Sequence, residues 1–365
     1  MKPFTYIAHP ARVAFGAGAS ARAGDELDAL GASRVLVLST PNQRALADRI
    51  GASIGGRCVG VFDRAVMHVP VETVRDAAAR ARELAVDCTI AVGGGSTVGL
   101  AKALALDAGL PIVAIPTTYA GSEMTSIYGM TEGAQKRTGR DPVVLPKSVI
   151  YDPMLTMDLP QRVSAASGLN AIAHAAEALY ADNRNPVMAL MAKEGIAALA
   201  RVLPRLVPVS AAATETERQR LLDARADALY GAWLCGSVLG SATMGLHHQL
   251  CHVLGGSFGL PHAETHAVVL PHALAYNAAA APDAMREIAT SLGADERTSA
   301  AQALHDLLRA LDLPLGLEAL GLRREDPERA TAIAMQRRYP NPRPADAASV
   351  RQLLQDAFDG VRPGR

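Results

Sequence analysis

The sequence has few aromatic residues, 4% in all with a single tryptophan. It also lacks an uninterrupted apolar run of the roughly 20 residues that a membrane helix needs. It has no net charge, with 36 basic residues against 36 acidic ones, so no global field draws it to nucleic acid or to an anionic membrane surface. Its four cysteines, Cys58, Cys88, Cys235 and Cys251, are widely spaced and form no Cys-x-x-Cys pair, which excludes a thiolate zinc ribbon. Free thiols and the absence of an apolar leader at the N-terminus lead us to expect a cytoplasmic protein. One absence is local: from Ala228 to Ala263 there is no Asp, Glu, Lys or Arg, in a chain that is 20% charged. A solvated surface does not leave such a gap.

That stretch holds histidine instead. It contains Gly245-Leu-His-His-Gln-Leu-Cys-His252 and, after a glycine-rich turn, Leu260-Pro-His262. Glycine, serine, threonine and proline interrupt the apolar residues, so the segment fits a buried helix better than a membrane span. Buried polar groups are costly unless partnered. Several imidazoles close together are therefore either satisfied within the core or available as ligands and proton carriers.

A chain of 365 residues, 49% of them hydrophobic, exceeds what one core usually supports and predicts two domains. From Arg34 onward, apolar β-prone runs alternate with helical stretches: strands at Val35–Leu38, Val59–Phe62, Thr89–Val92 and Ile112–Ile115, and helices near 43–54, 71–84 and 97–106. This βαβαβαβ order predicts a parallel, Rossmann-like sheet covered on both faces. Gly93-Gly94-Gly95-Ser96-Thr97 stands where the third strand passes into a helix, which suits a pyrophosphate on a helix start. An earlier match, Gly16-Ala-Gly-Ala-Ser-Ala21, lacks the acidic residue expected about 20 positions on; Ser39-Thr40-Pro41 stands there, and the match reads as a helix-entry turn. Pro116-Thr-Thr-Tyr-Ala-Gly-Ser-Glu123 follows a strand end, where open parallel sheets bind ligands. Residues 132–147 read as a loop with a cationic cluster, Lys136, Arg137, Arg140 and Lys147, either solvated or facing an anion.

After Leu159 the pattern is helical throughout, so we expect an α/β domain over 1–158 and an all-helical bundle over 159–365. Asn170 and His174 are four apart on one helix face, with Glu177 three further on. His248 and His252 repeat the four-residue spacing, and His262 follows in what reads as a loop. Asn170, His174, His248 and His262 could surround a metal or a substrate. Asn170 is a neutral amide and a poor ligand for a transition metal.

These motifs in this order resemble the group III, or iron-containing, alcohol dehydrogenase family. The likeness runs through Phe15-Gly-Ala-Gly18, the triple-glycine turn, Ile115-Pro-Thr-Thr118, Asp152-Pro-x-Leu-Thr156 and the spaced histidines. It implies an α/β cofactor domain facing a helical domain, with the active site in the cleft and a divalent metal on an Asp and three His. The matching positions here are Asn170, His174, His248 and His262. The sequence is more closely similar to the branch that reduces maleylacetate to 3-oxoadipate in the breakdown of aromatic compounds, with NADH or NADPH. The segments that carry this likeness are 116–124, Thr138–Pro142, Leu145–Pro153, Gly168–His174 and Asn341–Pro344. That branch generally lacks the carboxylate ligand and does not require metal, so no catalytic metal is expected.

The resemblance further implies cofactor contacts at Gly93 to Ser96, Thr97, Thr117, Thr118, Ser122 and Lys136. Thr40 takes the strand-end place at which relatives that reject NADPH often carry Asp, so use of both cofactors is expected. His248 and His262 are the candidates for enolate stabilisation and proton transfer, His174 and Asn170 for orientation, and His252 for a place near the nicotinamide. Tyr119, Arg137, Arg140 and Arg343 are the candidates for the dianionic substrate. A homodimer is the expected assembly, with neither nucleic acid nor membrane as a partner. A metal-dependent alcohol or polyol dehydrogenase of the same family, and a non-catalytic nucleotide-binding sensor, are the competing readings.

Overall fold

The computed structural model describes residues 4, 6–8, 12–132, 135–210 and 212–364. It divides into two compact units, one of Ala8–Leu159 with Val209–Leu229 and one of Met1–Ile7, Pro160–Pro208 and Tyr230–Arg365. Among the described residues no helix is long and apolar enough to cross a membrane.

The α/β unit is built on runs of apolar residues that have no polar face. Strands β1 (Arg12–Phe15), β2 (Val35–Leu38), β3 (Cys58–Phe62), β4 (Cys88–Gly93), β5 (Ile112–Pro116) and β8 (Ser148–Tyr151) form one sheet in the order β1-β8-β5-β4-β2-β3. Every pairing is parallel. The chains of β2, β4, β5 and β8 are buried at each position, as a parallel sheet covered on both faces requires. Helices α1 (Ala23–Leu30), α2 (Arg44–Ser53), α3 (Val71–Glu83) and α4 (Gly95–Ala108) supply the connections. The predicted strands at 35–38, 59–62, 89–92 and 112–115 and the helices between them are present. Two strands of this sheet escaped prediction: β1 pairs with β8, whose partner residues lie far away in the chain.

Part of the cationic stretch expected as a loop is a strand, which carries Lys136, Arg137 and Arg140. β6 (Ile127–Glu132) and β7 (Gln135–Arg140) form an antiparallel pair, with Met130 opposite Arg137 and Ile127 opposite Arg140. Its charged, glycine-containing sequence hides the two-residue alternation on which strand recognition depends.

The early glycine motif is a short helical turn, Ala19–Arg22, entered through Gly18 at φ 76°. Its donors are already engaged: the Gly18 and Ser20 amides reach the Asp152 carboxylate at 3.0 and 3.1 Å, and the Ser20 hydroxyl at 2.6 Å. A carboxylate of the chain itself thus takes the donors that a phosphate would need. Asp152, 1% exposed, also accepts from Met154 N at 3.0 Å, so one side chain joins the segment after β8 to the turn between β1 and α1.

The second unit contains α5 (Gln161–Tyr180), α6 (Pro186–Val202), the end of α7 (Glu215–Ser241), α8 (Leu246–Phe258), α9 (His262–Asn277), α10 (Pro282–Ser291), α11 (Ala300–Ala310), α12 (Asp326–Ala334) and α13 (Ala347–Asp359). From Ser164 to Tyr180, every residue of α5 is buried. It packs against α6 and α9, and α9 packs against α8 and α11. Replacing Asp152 with Ala strands buried donors and is expected to cost roughly 2–4 kcal/mol of stability; an unchanged urea midpoint would contradict the role given to it.

Candidate active site

The helical unit gathers imidazoles because three of its helices present them at helical spacing. Asn170, His174 and Glu177 follow one another along α5; His247, His248, Cys251 and His252 lie on α8; His262 and His266 lie on α9. His262, expected in a loop, is the first residue of α9. The ring centres of His248 lie 5.2 Å from His174, 5.3 Å from His247, 4.9 Å from His266 and 6.2 Å from His252. His262 lies 4.4 Å from His266. Asn170, His174, His247, His248 and His266 are buried, whereas His262 is half-buried and His252 exposed.

A carboxylate enters this cluster from α5. Glu177 Oε1 accepts the backbone N–H groups of Gly245 at 3.1 Å and His247 at 3.0 Å, and Oε2 bonds His248 Nδ1. The start of α8 has no capping side chain of its own, so Glu177 satisfies amides that a helix N-terminus leaves open. The approach depends on Gly245, where a Cβ would lie 2.7 Å from Pro340 O and 3.3 Å from Glu177 Oε1. His247 Nε2 and His266 Nδ1 are 3.0 Å apart and hydrogen-bonded. Among the described residues, five buried polar atoms of the cluster have no partner: Asn170 Oδ1, His174 Nδ1, His247 Nδ1, His248 Nε2 and His266 Nε2.

Burial, followed by the proximity of the other histidines, drives the pKa values of His174, His247 and His266 well below 6.5. All three are therefore neutral rings near neutral pH. Burial likewise pushes the Cys251 thiol far up, with Glu177 adding to the shift; Cys251 is therefore a protonated thiol.

The donor set suits a transition metal poorly. Asn170 supplies an amide where a carboxylate would add charge. Among the described residues, the His, Cys and carboxylate ligand atoms that lie within 4.8 Å of one another belong to His247, Cys251 and His266. A metal there would leave His247 Nδ1–H and His266 Nε2–H as buried donors without acceptors. Metal-bound histidines ordinarily hand that proton to a carboxylate or carbonyl. The two rings bond each other through His247 Nε2 and His266 Nδ1 instead, and the outer nitrogen of each has no partner among the described residues.

The α/β unit presents a second arrangement. Gly94 caps α4 without any side-chain bond, and the first turn carries no acidic residue, which leaves a helix N-terminus open to an anion. Gly93 sits at φ 150°, where a Cβ would meet Thr97 Oγ1 at 2.5 Å and Gln43 Oε1 at 2.8 Å. Gly95 is exposed and Ser96 half-buried, and the buried Thr97 hydroxyl has no partner among the described residues. Thr117 accepts from Gln43 Nε2 at 2.7 Å, and Thr118 Oγ1 lies where a Cβ on Gly94 would come within 2.9 Å of it. Thr40 is half-buried at the end of β2.

The neighbouring loop is held from inside. Lys102, fully buried, places Nζ 2.7–2.9 Å from Ser122 O, Thr125 O, Thr125 Oγ1 and Ile127 O. Burial draws its pKa down to about 7, opposed by Glu123. Glu123 is itself buried and accepts from the Tyr151 hydroxyl at 2.8 Å. Tyr119 is fully enclosed, and its hydroxyl accepts from Arg225 Nη1 at 3.0 Å.

The cationic candidates are spread out. Arg137 is exposed and pairs with Glu132 at 3.2 Å, Arg140 is exposed on β7, and Lys136 lies on the same strand with its side chain outside the described residues. Arg343 is exposed, stacks 4.2 Å over the Tyr276 ring and donates to the Ser349 hydroxyl on α13 at 2.7 Å.

Two family descriptions cover the chain: iron-containing alcohol dehydrogenase over residues 10–153, and the C-terminal part of the Fe-containing alcohol dehydrogenase family over 164–358. The chain belongs to the iron-containing alcohol dehydrogenase family. Within that family it is 56% identical over 363 residues to maleylacetate reductase of Burkholderia cepacia, covering 100% of both chains. It is 53% identical over 360 residues to maleylacetate reductase of Sphingobium indicum, covering 99% of each. The crystal structure of maleylacetate reductase from Agrobacterium tumefaciens matches with a TM-score of 0.92 at 47% identity, covering 100% of both chains.

Residue spacing brought Asn170, His174 and His248 to notice, but not the inner pair His247 and His266 or the partner of His248. The four-residue step from His262 to His266, and the three-residue step from His174 to Glu177, were the available signals. Unfolded histidines bind protons near pH 6.5, while His174, His247 and His266 stay neutral in the folded chain. The unfolded state then binds more protons below that pH, and stability falls on acidification. The urea midpoint is expected to be lower at about pH 5.5 than at about pH 7.5; an unchanged or higher midpoint in acid would contradict neutral burial.

Proposed function

We propose that this chain reduces the conjugated carbon–carbon double bond of maleylacetate to give 3-oxoadipate, using NADH or NADPH and no required metal. The observation that carries the reading is His248: Nδ1 is held by Glu177, and Nε2 is buried without a partner among the described residues. The full-length similarity to maleylacetate reductases supports the choice of substrate.

Maleylacetate is a dianion whose double bond is conjugated to a ketone. The bound nicotinamide supplies the hydride, and a proton completes the reduction. As hydride reaches the alkene carbon, negative charge gathers on the ketone oxygen, where preorganised donors lower the barrier. His248 and His262 stabilise that oxygen and move the proton, a task suited to imidazole near neutral pH. Asn170 and His174 orient the substrate, His174 by donating from Nδ1, which has no partner among the described residues, and Asn170 through its amide N–H. His252 stands at the nicotinamide side. This division of labour uses neutral and protonated imidazole for the electrostatic work that a metal ion performs elsewhere.

For the cofactor, Gly93 to Ser96 and Thr97 receive the pyrophosphate at the open start of α4. Thr117, Thr118, Ser122 and Lys136 complete the nucleotide contacts. Arg137, Arg140 and Arg343 receive the substrate carboxylates. Tyr119, with its hydroxyl taken by Arg225, serves the substrate by fixing the Thr117–Ser122 loop. No carboxylate stands at Thr40 to repel a 2′-phosphate.

Purified protein is expected to oxidise NADH with maleylacetate, and His248→Ala to lower kcat by about 10²- to 10⁴-fold. An unaffected His248→Ala enzyme, or no turnover with any enone or ketone, would overturn the reading and favour a nucleotide-binding sensor. The kcat/KM values for NADH and NADPH are expected to differ by less than about a thousandfold, since only an attractive contact and no repulsion separates them.

A further inference from the structure

We infer that Glu177 is a positioning residue for the reaction, acting through His248. This rests on the reading above, in which His248 faces the substrate. The two oxygens of Glu177 have separate duties: Oε1 accepts from the Gly245 and His247 amides, and Oε2 bonds His248 Nδ1. A carboxylate offers His248 only acceptors, so Nδ1 carries the proton that is shared with Glu177. Nε2 is thereby the ring atom left for the substrate, and it has no partner among the described residues. When Nε2 takes up a second proton, the ring donates from it to the enolate oxygen, and Glu177 on Nδ1 stabilises that imidazolium. A carboxylate that selects the tautomer and orientation of a catalytic imidazole is a recurrent device.

The surroundings make this arrangement stiff. The Glu177 side chain is 0% exposed and that of His248 8% exposed. Asn341 Oδ1 meets Leu246 N at 3.4 Å and Asn277 Nδ2 at 3.2 Å, bracing the same helix start from the other side. The lack of any side chain at Gly245 admits the carboxylate to the helix end. Glu177 is therefore placed by contacts that do not involve His248, as a positioning group must be.

Glu177→Gln separates this role from simple helix capping. Its amide oxygen can still accept from Gly245 and His247, while its NH₂ group now donates to Nδ1 and drives the His248 proton to Nε2. The expected result is a thermal midpoint near that of the wild type, an unchanged KM for NADH, and a kcat for maleylacetate reduced by about 10²- to 10⁴-fold. In ¹⁵N NMR of the full chain, His248 is expected to carry its proton on Nδ1 in the wild type and on Nε2 in Glu177→Gln.

Wild-type kcat in Glu177→Gln, alongside an inactive His248→Ala, would overturn the positioning role and leave Glu177 as a cap alone. Wild-type kcat in His248→Ala would instead overturn the reading of His248, and this inference with it. If Glu177→Gln lowers the melting temperature substantially, the wild-type spectrum decides: a proton on Nε2 rather than Nδ1 overturns the proposal.

Discussion

The carboxylate of Glu177 is the interaction on which the helical unit depends. From Ala228 to Ala263 the chain carries no charge of its own, yet α8 begins inside that stretch with backbone donors that need acceptors. Glu177 reaches in from α5 and supplies them, and the same group bonds His248. A buried carboxylate is tolerable only when its hydrogen-bonding capacity is filled. Three N–H groups fill it here, so helix geometry and imidazole orientation are parts of one arrangement.

The histidines around that carboxylate are held in different ways. His247 and His266 bond each other and stay neutral, and they form the buried backing of the cluster. His174 is neutral as well, and its Nδ1 has no partner among the described residues, like Asn170 Oδ1 beside it on α5. His252 is exposed and His262 half-buried. In the proposed reading, the inner rings serve as fixed dipoles and the outer ones exchange protons. The same reading gives Asn170 an orienting role, since an amide lacks the charge that a carboxylate would offer a metal ion.

Local periodicity made much of the fold legible. The runs at 35–38, 89–92 and 112–115 are buried strands, and the four-residue spacings placed Asn170, His174 and His248 on helix faces. The features missed depend on pairing across the chain. β1 is recognisable only through β8, more than a hundred residues away, and β7 only through β6. The same limit applies to side chains. Tyr119 and Glu123 had the chemistry of a ligand loop, but their polar atoms meet Arg225 and Tyr151, which no spacing relates to them. Glu177 was visible as a neighbour of His174, whereas its bond to His248 crosses between helices. The early glycine motif was legible as a turn because no acidic residue followed at the required distance, and Asp152 gives the physical reason that its amides are engaged.

The central claim is that imidazoles and an amide, oriented by a buried carboxylate, do the electrostatic work without a metal ion. The most direct test dialyses the full chain exhaustively against a strong chelator, counts the metal left per chain by mass spectrometry, and measures NADH oxidation with maleylacetate on the same sample. The account predicts an undiminished rate when metal is far below one ion per chain. A rate that falls in step with metal removal and returns on adding a divalent ion would contradict it.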